Sequence, residues 1–185
     1  MSNAEIVPYD VDRHRNQLYE LYLEYGTWTK NAVSSKYGIN YEGVIGGTIE
    51  QVGARIFPVF TSLKPPEGII LILEVEGKAA GMGRLSKLED DVAEINNMFI
   101  SSEYRGRGYG KVMLEQLEEK AREFGYSTLR LDTGAHNEAA QHIYRRAGFT
   151  EREYYNSSAH GRVAKNETED GHIYYENKVY MEKKL

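Results

Sequence analysis

A glycine-rich stretch at residues 94–117 carries the residue types that most clearly could do chemistry; it reads EINNMFISSEYRGRGYGKVMLEQL. Its glycines stand at Gly106, Gly108 and Gly110. Because glycine has no Cβ, a ligand can approach the backbone closely at these positions. The helix predicted to begin there also offers backbone N–H groups that have no partner inside the helix. Such a loop can hold a phosphate group, so the stretch predicts a site for a phosphorylated ligand.

Two familiar phosphate-binding loops do not fit this stretch. A P-loop needs a glycine followed, after four intervening residues, by a Gly-Lys-Ser/Thr triplet, but Arg105 stands where its first glycine belongs and Val112 follows Lys111. A dinucleotide-binding loop needs the spacing Gly-x-Gly-x-x-Gly, whereas these glycines alternate and no second strand with an acidic end follows at the expected distance. What remains is the pattern Arg105-x-x-Gly108-x-Gly110 after an extended segment.

A second pattern lies further along the chain and reads Asn137-x-x-Ala140-x-x-x-Tyr144-x-x-x-Gly148-Phe149. Taken alone, it describes a helix capped by asparagine that carries one aromatic residue in the core. A helix and a strand fit between it and the glycine loop. Because the two patterns occur together and in this order, we interpret them as parts of one site.

Together the two patterns resemble those of the GNAT superfamily of acyl-CoA-dependent N-acetyltransferases. The resemblance is close from Ile69 onward and covers the N-terminal third only in outline. It implies that acetyl-CoA is the cosubstrate, and that an acetyl group passes directly to a primary amine. No metal is expected, since the five histidines lack metal-ligand spacing.

The resemblance also implies a set of cofactor-binding residues. In the family, the pyrophosphate lies on backbone N–H groups of the glycine loop, and the pantetheine arm pairs with the edge of the preceding strand. The N–H of Met98, at an expected bulge, would polarise the thioester carbonyl. The implied cofactor-binding residues are Met98, Phe99, Ile100, Arg105, Gly106, Arg107, Gly108, Gly110, Lys111 and Asn137.

Two residues are candidates for proton transfer. By resemblance, Tyr144 would donate a proton or a hydrogen bond to the departing sulfur, as a phenol that stays protonated at pH 7 can do. Glu94 stands where some members that acetylate protein lysines carry a catalytic glutamate. A water chain is the alternative to Glu94 as the base.

The acceptor stays open between a small-molecule amine and a peptide. Tyr154 and Tyr155 resemble paired aromatic residues of GNAT enzymes that modify protein N-termini, so a protein N-terminal acetyltransferase is one alternative. A non-catalytic acyl-CoA-binding regulatory module is the other, although such a module would not need the phenol of Tyr144.

Composition limits the remaining classes. A chain of 185 residues with 41% hydrophobic residues suits one domain with a sizeable core. The absence of cysteine excludes disulfides and thiolate chemistry. A net charge of -5 argues against nucleic-acid binding. No apolar run is long enough to span a membrane and no signal peptide is apparent, so we expect a cytoplasmic protein without a membrane partner. A homodimer is compatible with the sequence.

The fold class expected from these elements is α/β (α+β). It is a GNAT fold with a central, mixed, mostly antiparallel twisted sheet of six to seven strands flanked by about four helices. The expected single domain, residues 1–185, has a variable acceptor-side part (1–68), an acyl-CoA-binding core (69–149) and a C-terminal strand pair with a long loop (150–185).

Local signals place several element ends. Asp10 or Asp12 is expected to cap a first helix that ends at Gly26, and a capping box at Thr48 begins a second helix that Pro58 ends or kinks. The last strands are expected near 151–155 and 173–181, with a polar loop at 156–172 between them. The sequence assigns no role to residues 27–62 and 156–172. Glycosylation sequons at Asn156 and Asn166 are expected to stay unmodified in the cytosol.

Overall fold

The computed structural model describes residues 4–155 and 168–185. The strands are β1 (Ala4–Pro8), β2 (Gly68–Val75), β3 (Lys78–Glu89), β4 (Val92–Ile100), β5 (Thr128–Gly134), β6 (Thr150–Arg152) and β7 (Lys178–Lys184). The helices are α1 (Val11–Tyr37), α2 (Tyr41–Ile45), α3 (Ile49–Phe60), α4 (Tyr109–Glu123), α5 (Glu138–Arg146) and α6 (Glu169–Glu176).

The seven strands form one open sheet in the order β1-β2-β3-β4-β5-β7-β6. Within it, β4 and β5 run parallel, and the other neighbours are antiparallel. This mixed sheet confirms the expected fold class. It carries the four longer helices that the sequence predicts, and α2 and α6 come in addition to them.

Two apolar clusters cover the two faces of the sheet. On one face, Met113, Leu114 and Leu117 of α4 pack with alternate strand residues and with Tyr144 of α5. On the other face, Leu18 and Leu21 of α1 join residues of α3 and the strands. Because both faces are covered, β2 is buried almost throughout and reads as a continuous apolar run.

The first helix does not end at Gly26, and the prediction that it does is wrong. Helix α1 continues through Gly26 to Tyr37 and is closed by Gly38, which has a φ of 71°. A Cβ built on Gly26 would lie 2.8 Å from a methyl carbon of Ile49. Gly26 is therefore a point of close approach between α1 and α3, where a helix-ending glycine had been expected.

The N-caps at Asp10 and Thr48 are confirmed. The side chain of Asp10 accepts hydrogen bonds from Asp12 and Arg13, and Thr48 forms the full capping box with Gln51. Pro58 lies inside the last turn of α3, which ends two residues later at Phe60.

The C-terminal strand prediction is wrong in its first half. Residues 173–176 belong to helix α6, whose cap Thr168 accepts a hydrogen bond from the N–H of Gly171. The strand begins only at Lys178. The run Ile173-Tyr174-Tyr175 has high strand propensity, but Ile173 and Tyr174 pack against α2, with the Tyr174 and Tyr41 rings 5.4 Å apart. Tertiary contacts thus decide this segment.

The strand expected at 151–155 is β6, which begins one residue earlier and ends at Arg152. Both sequons, at Asn156 and Asn166, lie outside the described residues. Within the described ranges, no helix is long and apolar enough to cross a membrane.

Candidate active site

The central cleft lies where the parallel pair β4 and β5 separates. Their ladder joins residues 92–95 to residues 128–131 and goes no further. At Asn97 the backbone adopts a φ of 49°, and the register with β3 shifts beside it, which confirms the expected bulge. The strand ends diverge because β4 bends away at this bulge, and an open edge of β4 faces the gap.

A cavity of about 1300 Å³ fills this gap and continues under α1 and α3. Its walls include most of the residues that the sequence singles out. These are Met98, Phe99, Ile100, Arg105, Gly106, Gly108, Gly110, Lys111, Asn137 and Tyr144. Glu94 and Arg107 are not among its lining residues. The topology thus brings two motifs that lie far apart in sequence to one site.

The glycine loop has the backbone geometry that a phosphate site needs. Gly106 and Gly108 have φ values of 75° and 84°, in the left-handed region that favours glycine. Helix α4 begins at Tyr109 with no side chain capping it. Its first N–H groups and the positive end of its dipole therefore face the cavity mouth, where an anion is stabilised.

The three basic side chains of this loop have different surroundings. The guanidinium of Arg105 lies over the rings of Trp28 and Phe99, at 5.2 and 5.1 Å, and its Nε donates to the carbonyl oxygen of Ile100. Arg107 donates to the carbonyl of Glu103 outside the cavity. Lys111 is exposed at the cavity mouth.

Tyr144 and Asn137 hold the opposite wall. The side chain of Asn137 caps α5 by accepting from the N–H of Ala140. Two helical turns after Asn137, the ring of Tyr144 packs against Phe149 in the core and is buried. Burial, together with Tyr25 and the negative charge of Asp132, raises the pKa of Tyr144 well above that of a free phenol. The phenol therefore keeps its proton at neutral pH.

Glu94 lies beside the cavity in a buried hydrogen-bond network. Its carboxylate accepts from the hydroxyl of Tyr155 at 2.9 Å and from Nδ2 of Asn96 at 2.7 Å. Asn96 lines the cavity and accepts from Arg84 and Ser86. Burial, followed by the charge of Glu94, raises the pKa of Tyr155 strongly, so that its hydroxyl stays a donor to the carboxylate.

An ion pair between Asp132 and Lys178 forms another part of the wall, and sequence reasoning missed it. Their charged atoms are 2.8 Å apart, and both side chains are buried. Burial is the largest single effect and lowers the pKa of Lys178, but the charge of Asp132, its hydrogen bond and the nearby tyrosines together outweigh burial and hold that pKa well above its ordinary value. Charged Arg130 and Asp132 alternate with apolar residues on a buried strand, and this pattern could have indicated Asp132. No pattern indicated Lys178, because the predicted start of the last strand was wrong.

An aromatic corner that also lines the cavity was missed at the sequence level. It consists of Trp28 and Tyr37 on α1 with His136 between β5 and α5. Trp28 and Tyr37 fall beyond Gly26, where no helix had been expected. Among the described residues, no group of three His, Asp or Glu side chains is placed to hold a metal ion.

Comparisons with known proteins all point to one family. The model of the Acetyltransferase (GNAT) family matches residues 15–149. An uncharacterized N-acetyltransferase of Methanocaldococcus jannaschii is 33% identical over 97 residues, which cover 49% of this chain and 43% of that protein. The IAA acetyltransferase of Azospirillum brasilense is 32% identical over 92 residues, 49% of this chain and 60% of that protein.

The chain thus spans about half the length of these curated relatives. The PaiA N-acetyltransferase of Thermoplasma acidophilum, solved in complex with coenzyme A, covers 99% of both chains with a TM-score of 0.67 and 18% identity. At 18% sequence identity, this structural similarity shows a shared fold.

Proposed function

The chain belongs to the acetyltransferase (GNAT) family, and from this premise we propose that it transfers an acetyl group from acetyl-CoA to a primary amine of a small molecule or peptide. One observation carries the proposal. The glycine loop, the open edge of β4 and the phenol of Tyr144 all line a single cavity. These are the three groups that binding a thioester and helping its sulfur leave would require.

Each group has a separate part in the proposed reaction. Acetyl-CoA would supply the acyl group as a thioester. The N–H groups of residues 106–111 would hold its pyrophosphate, and the edge residues 98–100 would pair with its pantetheine arm. The N–H of Met98 would polarise the thioester carbonyl, because a fixed donor stabilises charge that develops on that oxygen. Tyr144 would give its proton to the departing sulfur.

The residues around the loop support binding of a long, anionic ligand. Lys111 stands at the cavity mouth, and Arg105 lies between the mouth and the β4 edge. In this structure the Nε of Arg105 donates a hydrogen bond to the carbonyl oxygen of Ile100, so the Arg105 side chain would move when a ligand pairs with the β4 edge. Asn137 would contact the ligand from the opposite wall while it caps α5.

The acceptor can be identified by an acetylation screen read by mass spectrometry. The protein is incubated with acetyl-CoA and spermidine, kanamycin, lysine or a peptide with a free alanine N-terminus. We expect one class of amine to gain an acetyl group at a rate that depends on the protein. Transfer to the peptide alone would favour N-terminal acetylation. Binding of coenzyme A without transfer to any amine would instead identify a regulatory acyl-CoA-binding module.

A further inference from the structure

His136 packs against aromatic rings in the wall of the cavity. Its ring lies between Trp28 and Tyr37, with centroid distances of 6.3 and 5.9 Å, and it also covers Gly134. A Cβ on Gly134 would be 2.3 Å from Cε1 of the imidazole, so only glycine there leaves room for this ring position. His136 comes directly before Asn137 and lines the same cavity as Tyr144.

The two ring nitrogens of His136 differ in their surroundings. Nδ1 is buried and makes no hydrogen bond within residues 4–155 and 168–185. Nε2 is not among the buried atoms that lack a partner, and His136 lines the cavity, so Nε2 is the nitrogen that we take to meet a molecule there. A half-buried imidazole that no group in the described part of the chain hydrogen-bonds calls for a functional explanation.

The groups around the imidazole favour its neutral form. Burial lowers the pKa of His136, and the positive charges of Lys178 on β7 and Lys36 on α1 lower it further. Tyr37 is the titratable ring that lies against it on α1. A neutral imidazole has a lone pair and can accept a proton at physiological pH.

We propose that His136 is the general base that takes a proton from the attacking ammonium, an inference that rests on the proposed acetyl transfer. The alternative carboxylate, Glu94, is fully buried, is held by Tyr155 and Asn96, and is not among the cavity-lining residues. His136 has the access to the cavity that Glu94 lacks. A base must reach the proton that it removes, so geometry ranks before basicity.

The proton balance of the step closes without a further reactant. Nε2 of His136 takes one proton from the ammonium, and the nitrogen lone pair forms the new N–C bond as the C–S bond breaks. The sulfur receives a proton from Tyr144. The second proton that the amine nitrogen loses then restores the hydroxyl of Tyr144. The imidazolium then releases its proton to solvent. The products are one amide, one thiol and one proton.

Nuclear magnetic resonance tests the position of His136 without an acceptor. Long-range ¹H–¹⁵N spectra of the full chain would follow all five imidazoles, with His136 assigned from the His136→Gln variant. We expect its pKa to lie below the ordinary value and its signals to shift when acetyl-CoA is added. Exposed His142 is not among the cavity-lining residues and should not respond. If the signals of His136 do not change at saturating acetyl-CoA, the assignment of His136 as the base is overturned.

Kinetics test its role, with the amine that the screen identifies. His136→Gln should lower kcat/KM about 10²-fold or more and abolish the ascending acidic limb of its pH profile. His142→Gln should leave both unchanged, and thermal protection by coenzyme A would show that His136→Gln keeps a folded site. His136→Asn serves as a second variant if Gln does not fold.

The outcomes separate the two proposals. No transfer by the parent protein to any amine would overturn the proposed function. Transfer by the parent, with the limb kept in His136→Gln but lost in Glu94→Gln, would overturn the His136 assignment alone.

Discussion

Tyr144 combines a structural and a chemical position in one residue. Its ring belongs to the main apolar cluster, while the residue also lines the cavity. Its sequence motif could be explained by packing alone. The raised pKa, caused first by burial, means that the phenol keeps its proton at neutral pH, which is compatible with a chemical as well as a packing role.

Replacing Tyr144 by phenylalanine should therefore separate packing from chemistry. We expect kcat to fall about 10²-fold or more, because the proton donor is lost, and the affinity for acetyl-CoA to stay near that of the parent, because the ring still packs. Steady-state kinetics and calorimetric titration measure the two quantities. Tyr126→Phe is the matched control, since Tyr126 is buried in the same cluster and bonds the carbonyl of Pro66 away from the cavity. An unchanged kcat, with chemistry rate-limiting, would return Tyr144 to a packing role.

At the scale of elements, helix α4 has a glycine of left-handed conformation at each end. Gly108 precedes its first turn with a φ of 84°, and Gly125 follows its last turn with a φ of 86°. A Cβ would meet nothing within 4 Å at either position, so backbone strain is the whole cost of a side chain there. Gly108 belongs to the proposed phosphate loop, and Gly125 does not.

Alanine at the two glycines should therefore have equal effects on stability and unequal effects on binding. Each substitution should lower the free energy of unfolding by about 1–2 kcal/mol, the usual cost of a left-handed conformation for a residue with a Cβ. Only Gly108→Ala should weaken coenzyme A binding. Urea unfolding and calorimetric titration check both statements. Equal coenzyme A affinity in the two variants would remove the loop from the binding site.

Strand β7 is tied to both of its neighbours through Glu182. The carboxylate accepts from Arg130 on β5 at 2.8 Å and from Arg152 on β6 at 2.5 Å. The hydrogen bond from Arg130 lowers the pKa of Glu182 below its ordinary value of 4.5, and burial only partly opposes it. A carboxylate with a lowered folded pKa stabilises the fold above its unfolded pKa, and this contribution is lost as the pH falls through the folded value.

Glu182→Gln should accordingly lower stability at pH 7 by a modest amount and flatten the loss of stability below pH 4.5. Solvent screens this partly exposed cluster, so the effect should also shrink at high salt. Thermal melts between pH 7 and about 3 would measure it, because that interval contains the ordinary carboxylate pKa values. Glu119→Gln on the exposed face of α4 makes the same charge change beside Gln116 and should not alter the acid limb. Parallel limbs for the parent and Glu182→Gln would contradict the ion cluster.

For the whole molecule, the cavity joins elements from both ends of the chain. Helix α1 covers the sheet from one side, the glycine loop and α5 border the cleft, and α6 closes the part near Lys178. A ligand that fills this space contacts α1, β4 and α5 together and binds only the folded state. Trp28, the one tryptophan of the chain, lies in its wall beside Arg105 and His136.

Acetyl-CoA should thus stabilise the entire fold. At a concentration one hundred times its Kd, the free energy of unfolding should rise by about 2.7 kcal/mol. Trp28 fluorescence should change over the same concentration range, since Arg105 leaves its ring when the β4 edge is occupied. Stabilisation without any change in Trp28 emission would place the ligand elsewhere. The Trp28→Phe variant controls for emission that does not come from this residue.

The sequence determined the features that depend on neighbours along the chain. The caps at Asp10, Thr48 and Asn137 could all be predicted from it. Each is set by hydrogen bonds within a few residues. The glycine loop and Tyr144 could be predicted for the same reason, because both are short motifs tied to the start of a helix.

Only the tertiary structure decided the rest. Gly26 stays helical because Ile49 packs against it, and residues 173–176 are helical because α2 receives their aromatic rings. The Asp132–Lys178 pair joins residues 46 positions apart, and the corner around His136 joins α1 to the end of β5. No local pattern encodes such pairings, because burial and charge at these positions arise only when distant elements pack together. The proposed proton donor could therefore be found from a motif, and the proposed base could not.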